Sequence, residues 1–248
     1  MSVARQTPRL FAIDSGSPVS SVALAWDGDL LTREFAVGES SKRLLPLLDE
    51  MLAEAGGRLE QLEGLVGLRG PGSFTGLRVG LATLLGLHQS LGLRAGTATT
   101  FEALARQAQR RSAATQGRVF AAIDALRGER FIQGFDTATL QPLGEPEIRS
   151  DDEIAHLGPS YVIGFGLQPL RALVERDSGS GTRADALVLW NAEPLAADLA
   201  TIAAEPGFAW DASDLTQPLY LRPPAATVPS PRTHVLGVGE EARDRTGE

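Results

Sequence analysis

The segment richest in potential chemistry is Gly70-Pro71-Gly72-Ser73-Phe74-Thr75-Gly76-Leu77-Arg78-Val79-Gly80. It stands between an apolar run and a stretch of helical periodicity. A glycine-rich turn in that place aims backbone N–H groups and the positive end of a helix at whatever lies in front of it, which suits a phosphate or another anion. Gly70 and Gly72 permit close backbone approach. Ser73 and Thr75 supply hydroxyls that cap a helix or donate to an anion, and Arg78 supplies a cation. The same residues also make a tight turn and a capped helix whose Gly76 and Gly80 let a neighbour pack closely. Local chemistry alone favours this structural use over phosphate binding. Asp14 and Asp124 each end an apolar run, where a carboxylate could hold a metal ion or orient water. Ending a strand in a local turn is the commoner role of such a residue. Gly164-Phe165-Gly166 would admit a flat adenine or ribose, or simply a turn.

Several chemistries are excluded. The chain of 248 residues has no Cys, which removes thiolate nucleophiles, disulfides, zinc fingers and iron–sulfur clusters. Its three His, at 88, 156 and 234, show no zinc-protease spacing. Ser73 is not in a G-x-S-x-G elbow. Lys42 is the one Lys and follows Ser41, so there is no Walker A loop. A net charge of −8 and a pI near 5.0 speak against nucleic-acid binding through bulk charge. No apolar stretch approaches the ~20 residues of a membrane span. The polar start, Met1 to Arg9, does not resemble a signal peptide, so a cytoplasmic location is expected.

The elements that would position these residues follow from periodicity. Leu10 to Asp14, Val19 to Trp26 and Leu30 to Val37 read as strands, with a hairpin signal at Asp27-Gly28. Ser40-Ser41 can cap a helix from Lys42 to Ala55, with Pro46 in its first turn and Gly56-Gly57 at its end. Leu62 to Leu68 is a strand, and Phe74 to Leu91 a helix. A similar series then restarts. Val119 to Asp124 ends in Ile-Asp as Leu10 to Asp14 does, a turn at Arg127-Gly128 leads into Glu129 to Phe135, and Thr137 to Leu143 continues the pattern. Asp151 to His156 reads as a short capped helix, Tyr161 to Gly166 as a strand, and Gln168 to Arg176 as a helix. Asp177 to Asp185 reads as a mobile loop. Ala192 to Ala204 reads as an Ala-rich helix, and Leu219 to Arg222 is the last recognisable element. Two units that each open with a strand, an Asp and a hairpin point to internal duplication of an α/β lobe. The expected organisation is a first lobe over residues 1–100, a second over 101–222 with 192–222 packing back on the first, and a flexible tail over 223–248.

The two helices of the first lobe are unusually rich in leucine. One side of each must pack on its own sheet. The remainder is either an exposed stripe for a partner or is covered within the chain.

Taken in order along the chain, these segments closely resemble the bacterial TsaB (YeaZ) family. The resemblance rests on Phe11-Ala12-Ile13-Asp14, Ser20-Ser21-Val22-Ala23-Leu24, Arg43-Leu44-Leu45-Pro46-Leu47-Leu48 and, most specifically, Arg69 through Gly80. Ile123-Asp124-Ala125 with Arg127-Gly128-Glu129, and Leu219-Tyr220-Leu221-Arg222, complete it. It implies a two-lobed actin-like, Hsp70-like ATPase-type (ASKHA) fold of duplicated βββαβα units. It also implies a non-catalytic subunit needed for threonylcarbamoyl transfer to adenosine 37 of tRNA, acting by binding the catalytic paralogue TsaD, with TsaE as a further ATPase partner. The paralogues carry H-x-x-x-H metal ligands. The corresponding region here, Gly96 to Glu102, has no His, so no metal ligand set is expected. The partner interface carried over would use Leu44, Leu45, Leu48, Met51 and Leu52 of the first helix and Leu81, Leu84 and Leu85 of the second. A homodimer through that surface is expected where the partner is absent.

A residual nucleotide cleft would use Asp14, Gly70, Gly72, Ser73, Thr75, Asp124, Gly164 and Gly166. No cofactor is required by the chain, with ATP or ADP at the complex interface left open. Contact with tRNA would come only through the complex, and none with a membrane. Ser40 stands where many relatives have His. The alternative is an enzyme of the same fold, an ATPase or phosphotransferase using the Gly70–Thr75 loop. A glycoprotease-like peptidase is disfavoured by the His spacing.

Overall fold

The computed structural model describes residues 8–111, 117–178 and 187–222. Leu10–Asp14 (β1), Ser20–Trp26 (β2) and Asp29–Phe35 (β3) form an antiparallel meander. Ser40–Glu54 (α1) leads to Gly64–Leu68 (β4), which pairs parallel to β1. Phe74–Leu91 (α2), Arg94–Ala98 (β5) and Thr100–Arg111 (α3) follow, with β5 parallel to β4. The sheet order is β3-β2-β1-β4-β5. The second half repeats it. Arg118–Asp124 (β6), Glu129–Asp136 (β7) and Glu147–Ser150 (β8) form a meander. Asp151–Ala155 (α4), Ser160–Gly164 (β9), Gln168–Ser178 (α5), Leu187–Asn191 (β10) and Ala196–Ala203 (α6) complete it. Its order, β8-β7-β6-β9-β10, is that of the first sheet.

The pleat of the central strands explains the layers. Side chains alternate between faces along a strand. Along β1, Leu10 and Ala12 face a core shared with the second half, whereas Phe11 and Ile13 face a core built with α1 and α2. With both faces covered, every residue of β1 and β2 is buried. This is why they read as continuous apolar runs and not as alternations. Between the sheets lie α3, which packs on β6 and β9, and α6, which packs on β1 and β2. The small side chains Ala196, Ala200 and Ala203 let α6 approach. Beneath the second sheet, Ile154, Leu167 and Leu170 close a third core on Val162, Leu187 and Leu189. The order of layers is therefore α1/α2, sheet, α3/α6, sheet, α4/α5.

Sequence and structure differ in places. The series has a third βα step in each half, β5–α3 and β10–α6, which the duplicated βββαβα unit omitted. β5 and α3 lack strong periodic leucines, since Gly96 sits against the Phe208 ring and Ala209 and α3 buries Ala103, Ala105 and Ala108 around Phe101 and a single Leu104. Thr137 to Leu143 is a turn closed by Asp136, whose Oδ1 accepts from Ala138 and Thr139 N–H. The third strand of that meander is β8 instead. α1 begins at Ser40 with Glu39 at its cap position and no side-chain cap, and Pro46 lies inside it. Leu219 to Arg222 is irregular chain. The tail 223–248, His234 and most of the loop expected over Asp177 to Asp185 lie outside the described residues.

The glycines of α2 bear directly on stability. A Cβ on Gly76 would stand 1.9 Å from the Ser15 carbonyl oxygen, whereas one on Gly86 of the same helix would meet nothing within 4 Å. Gly76→Ala should cost about 2 kcal/mol or more through overpacking against backbone. Gly86→Ala should gain up to about 1 kcal/mol from helix propensity. Urea denaturation of the two variants beside the parent chain checks both signs.

Candidate functional site

The Gly70–Gly80 segment is held by the turn that follows β1. Ser73 N–H donates to the Gly16 carbonyl at 2.8 Å, and Ser15 Oγ donates to the Gly76 carbonyl at 2.8 Å. A Cβ on Gly72 would stand 2.6 Å from the Gly16 oxygen, and one on Gly80 2.2 Å from Ser15 Oγ. Gly70 adopts a φ of 110° and its carbonyl accepts from Thr100 N–H at 2.8 Å. Thr100 Oγ1 donates to the Pro71 carbonyl at 2.8 Å. Ser73 caps α2, its Oγ accepting from Gly76 N–H at 3.3 Å. The glycines therefore serve close packing between two backbones, and the hydroxyl of Ser73 is engaged in its own helix.

Between the lobes is a cleft of about 870 Å³. On one side stand Pro71, Gly72, Ser73 and Phe74. On the other stand Phe131 and the β6–β7 turn from Asp124 to Arg127, with Glu129. Leu219 to Arg222 forms the remaining wall. Leu126, Arg127 and Gly128 all have positive φ, at 67°, 60° and 75°. For the two non-glycine residues this is an unfavourable backbone region. Asp124 Oδ1 accepts from Leu126 N–H at 2.8 Å and ties that turn. The Phe74 and Tyr220 rings lie 5.2 Å apart, and the Arg78 guanidinium stands 3.9 Å from the Phe74 ring centre. Arg127 is an exposed cation at the mouth.

Of the eight residues expected at a nucleotide cleft, Gly72, Ser73 and Asp124 border this one. Gly70 is turned to the Leu219 carbonyl, and Thr75 is exposed on α2. Gly164 and Gly166 serve the second lobe. A Cβ on Gly164 would stand 2.0 Å from the Ala122 oxygen, and the Gly166 carbonyl accepts from Arg130 at 2.9 Å. Arg130 is itself buried in an ion pair with Asp151. Asp14 is sealed inside. Its Oδ1 accepts from Gly16 N–H at 3.1 Å and Ser17 N–H at 3.0 Å, and its Oδ2 has no geometrically good partner. Burial pushes its carboxyl up to about 6, against the hydrogen bonds from Ser17 and Gly16. The sequence missed Arg127, Phe131, Tyr220 and Arg222 as cleft residues. For Arg127 the signal was the turn at Arg127-Gly128 between two strands; Phe131, Tyr220 and Arg222 carried none.

The structure corrects most of the expected partner surface. Leu44, Leu48, Met51, Leu52, Leu81 and Leu84 are buried in the chain's own core between the first sheet and its helices. Leu45 is 52% exposed and Leu85 is half-buried. The outward surface is thus Leu45, Pro46 and Asp49 of α1 with Ala82, Gly86 and the edges of Val79 and Leu85 of α2. His88 Nδ1 lies 2.6 Å from the Leu93 carbonyl and closes the end of α2, and His156 Nδ1 lies 2.7 Å from the Asp152 carbonyl. Among the described residues, no three His, Cys, Asp or Glu side chains gather as a metal-holding group. No helix among them is long and apolar enough to cross a membrane.

Two lobes with the same strand order, each opening on a three-stranded meander and meeting across a cleft, define the actin-like ATPase class of folds. Residues 34–157, half of the chain, match the family profile described as TsaD, tRNA N6-adenosine threonylcarbamoyltransferase. The tRNA threonylcarbamoyladenosine biosynthesis protein TsaB of Escherichia coli K12 is 38% identical over 122 residues, 49% of this chain and 52% of that protein. TsaB of Haemophilus influenzae is 38% identical over 125 residues, 50% and 52% of the two. The chain thus matches about half the length of these curated relatives. Two solved structures from Pseudomonas aeruginosa extend the likeness. One, of an uncharacterized protein with similarity to peptidase YEAZ, has 28% identity and a TM-score of 0.69 over 87% of this chain and all of that one. The other, YeaZ, has 25% identity and a TM-score of 0.66 over 86% and 100%. The chain belongs to the TsaB/YeaZ family, the paralogues of TsaD.

The raised Asp14 carboxyl has a measurable consequence. Well below pH 4 it is protonated in both the folded and the unfolded chain and costs nothing. As pH rises to about 6 the unfolded chain ionises first, so folding loses stability. Above about 6 the loss is complete, about 3 kcal/mol for a shift from 3.8 to about 6. Asp14→Asn should be free of this loss. Its stability relative to the parent chain should climb between pH 4 and 6 and then level off, read as the difference between paired urea titrations. Carboxylates held low elsewhere, such as Asp136 and Glu153, cancel in that difference.

Proposed function

We propose that this chain is the non-catalytic subunit that binds and activates a TsaD-like catalytic paralogue in threonylcarbamoyl transfer to adenosine 37 of tRNA. A TsaE-like ATPase is the third component. The observation that carries this reading is family membership together with retention of the whole Gly70–Gly80 segment. Its glycines are used to fix α2 against the first sheet, so the segment holds a helical face in place without supplying a reacting group. The region Gly96 to Glu102, where the catalytic paralogues carry imidazole ligands, contains no His. Contact with tRNA comes only through the complex, and no cofactor is required by this chain itself. ATP or ADP, where present, belongs to the assembled complex.

The contact runs over the outward surface of α1 and α2 around Leu45, Pro46, Ala82 and Leu85. An apolar helical face can select the partner's competent conformation by binding it better than the alternatives, without touching substrate. When the partner is absent, the same face supports a homodimer. Burying a charge in such a contact is costly, and Leu45 has little role in the fold because it is half in solvent. Leu45→Glu should therefore leave the unfolding free energy within about 0.5 kcal/mol while weakening the complex at least ~10-fold, about 1.4 kcal/mol. Leu48→Glu should instead unfold the chain. Calorimetric titration with the paralogue and thermal melts separate the two.

The reading as a whole is tested by threonylcarbamoyl transfer to tRNA by the paralogue and the ATPase, with this chain, without it, and with this chain alone. Transfer that requires the chain, with none from the chain alone, supports the reading. Transfer indifferent to the chain, or nucleotide turnover by the isolated chain, overturns it and returns the assignment to an independent enzyme of the same fold.

A further inference from the structure

Among the described residues, two features join the lobes. One is the shared core, in which α3 and α6 lie between the sheets and Gln107 of α3 donates to Asp198 of α6 at 2.9 Å. The other is the short irregular run from Leu219 to Arg222, which crosses the cleft. Its first half is fixed to the first lobe. Leu219 N–H donates to the Arg69 carbonyl at 2.6 Å, and the Leu219 carbonyl oxygen lies 2.8 Å from where a Cβ on Gly70 would stand. Tyr220 packs on Phe74, and its hydroxyl accepts from Arg78 Nε at 3.2 Å. Its last residue is fixed to the second lobe. Arg222 Nη1 donates to the Ala125 carbonyl at 3.0 Å, and Nη2 to Glu129 Oε2 at 2.6 Å. These two acceptors are the two ends of the β6–β7 turn.

We propose that Leu219–Arg222 is an interlobe latch, anchored on the first lobe and releasable from the second at Arg222, which sets the width of the cleft. The asymmetry follows from the contacts. The anchored end combines a backbone hydrogen bond, a ring pair and a cation over a ring, and Leu221 beside it packs on the shared core. The releasable end is a half-exposed ion pair, one carbonyl contact and the Arg222 guanidinium at 6.0 Å from the Phe131 ring centre, a looser approach than the 3.9 Å of Arg78 to Phe74. Solvent and salt screen such a pair. The turn it grips also has reason to relax, because Leu126 and Arg127 are held at positive φ. Release frees that turn, with the exposed Leu126 and Arg127 at its tip, to swing away from Ser73 and Phe74 across the cleft. The latch does not depend on which partner the first lobe binds.

The absence of Cys makes the test direct. Spin labels on Thr75→Cys, at the start of α2, and Asp152→Cys, on α4, report the distance between lobes in the full chain. Hydrogen exchange reports the turn. Arg222→Gln should shift the label distance to longer values by several ångströms and speed exchange of the Ala125 and Glu129 amides at least ~10-fold, since those amides close the turn. Raising salt should widen the parent chain in the same direction and leave Arg222→Gln unchanged. Tyr220→Ala breaks the other end. It should lengthen the distance as well, while leaving exchange in the turn close to that of the parent chain. Glu129→Gln keeps the Ala125 contact and should fall between the parent chain and Arg222→Gln. Unchanged distances in Arg222→Gln and Tyr220→Ala would overturn the latch. So would exchange that rises equally through both lobes in Arg222→Gln, because Arg222 would then be a general stabiliser.

Discussion

The structure depends on one close approach, that of the first turn of α2 to the Ser15–Gly16 backbone after β1. Three glycines at positions 72, 76 and 80 leave no Cβ between the two chains, and each would put one within 2.6 Å of a Ser15 or Gly16 atom. Two hydrogen bonds then lock the contact, Ser73 N–H to Gly16 and Ser15 Oγ to Gly76. Neither alone is worth more than about 1 kcal/mol net. Their effect is geometric, because they fix where α2 begins relative to the end of β1. Everything the first lobe offers outward, on α1 and α2 alike, is set by that one point.

The same contact decides the fate of Asp14. In an open cleft a carboxylate at the end of β1 would face solvent. Here the α2 turn and the start of α6, whose Ala196 N–H donates to Ser21 Oγ at 3.2 Å, close over it. The carboxyl is left fully buried with two backbone donors on one oxygen and no good partner on the other. Desolvation outweighs those hydrogen bonds, which is why its proton is held to a higher pH than usual. A residue type and position suggestive of ion binding have become part of the interior. Glycines whose pattern suits a phosphate have become the means of closing it.

How much of this was legible follows from what periodicity can carry. The restart at β6 and the duplication were readable because β1 and β6 are apolar runs that both end in an Asp, and the rest of the first meander because β2 is buried throughout and the Asp27-Gly28 turn marks where the half-exposed β3 begins. The third βα step of each half was not, since β5 carries Gly96 and Thr97 and the buried side of α3 is small and mixed, three alanines with Phe101, Leu104 and Gln107. The direction of the leucines on α1 and α2 was the main failure. Sequence shows that Leu44, Leu45 and Leu48 share a helix but not how wide a stripe its sheet will cover. Since α1 and α2 pack on each other as well as on the sheet, the buried arc is broad enough to take Leu44, Leu48, Leu81 and Leu84 and to leave Leu45 outside. In the cleft, Gly72, Ser73 and Asp124 were legible from type and turn position. Phe131, Tyr220 and Arg222 were not: Phe131 reads as an ordinary residue of β7, and what brings Tyr220 and Arg222 there is the return of the chain after α6, a tertiary event without a local signal.

That return also explains why the cleft has a wall at all. A duplicated α/β fold closes its middle layer with one helix from each half, and here α3 lies on the second sheet while α6 lies on the first. After α6 the chain is therefore back on the first lobe, and its next contacts are there. Phe208 and Trp210 pack edge to face at 4.8 Å, Trp210 takes Arg94 over its ring at 4.2 Å, and the turn at 212–216 packs on α2 and β5. From that position the shortest continuation runs past Arg69 and along the Gly70 loop, which aims Arg222 at the β6–β7 turn. The wall is thus a consequence of exchanging α3 and α6 between the sheets. A fold that kept each helix on its own sheet would end on the second lobe, with no segment to span the gap.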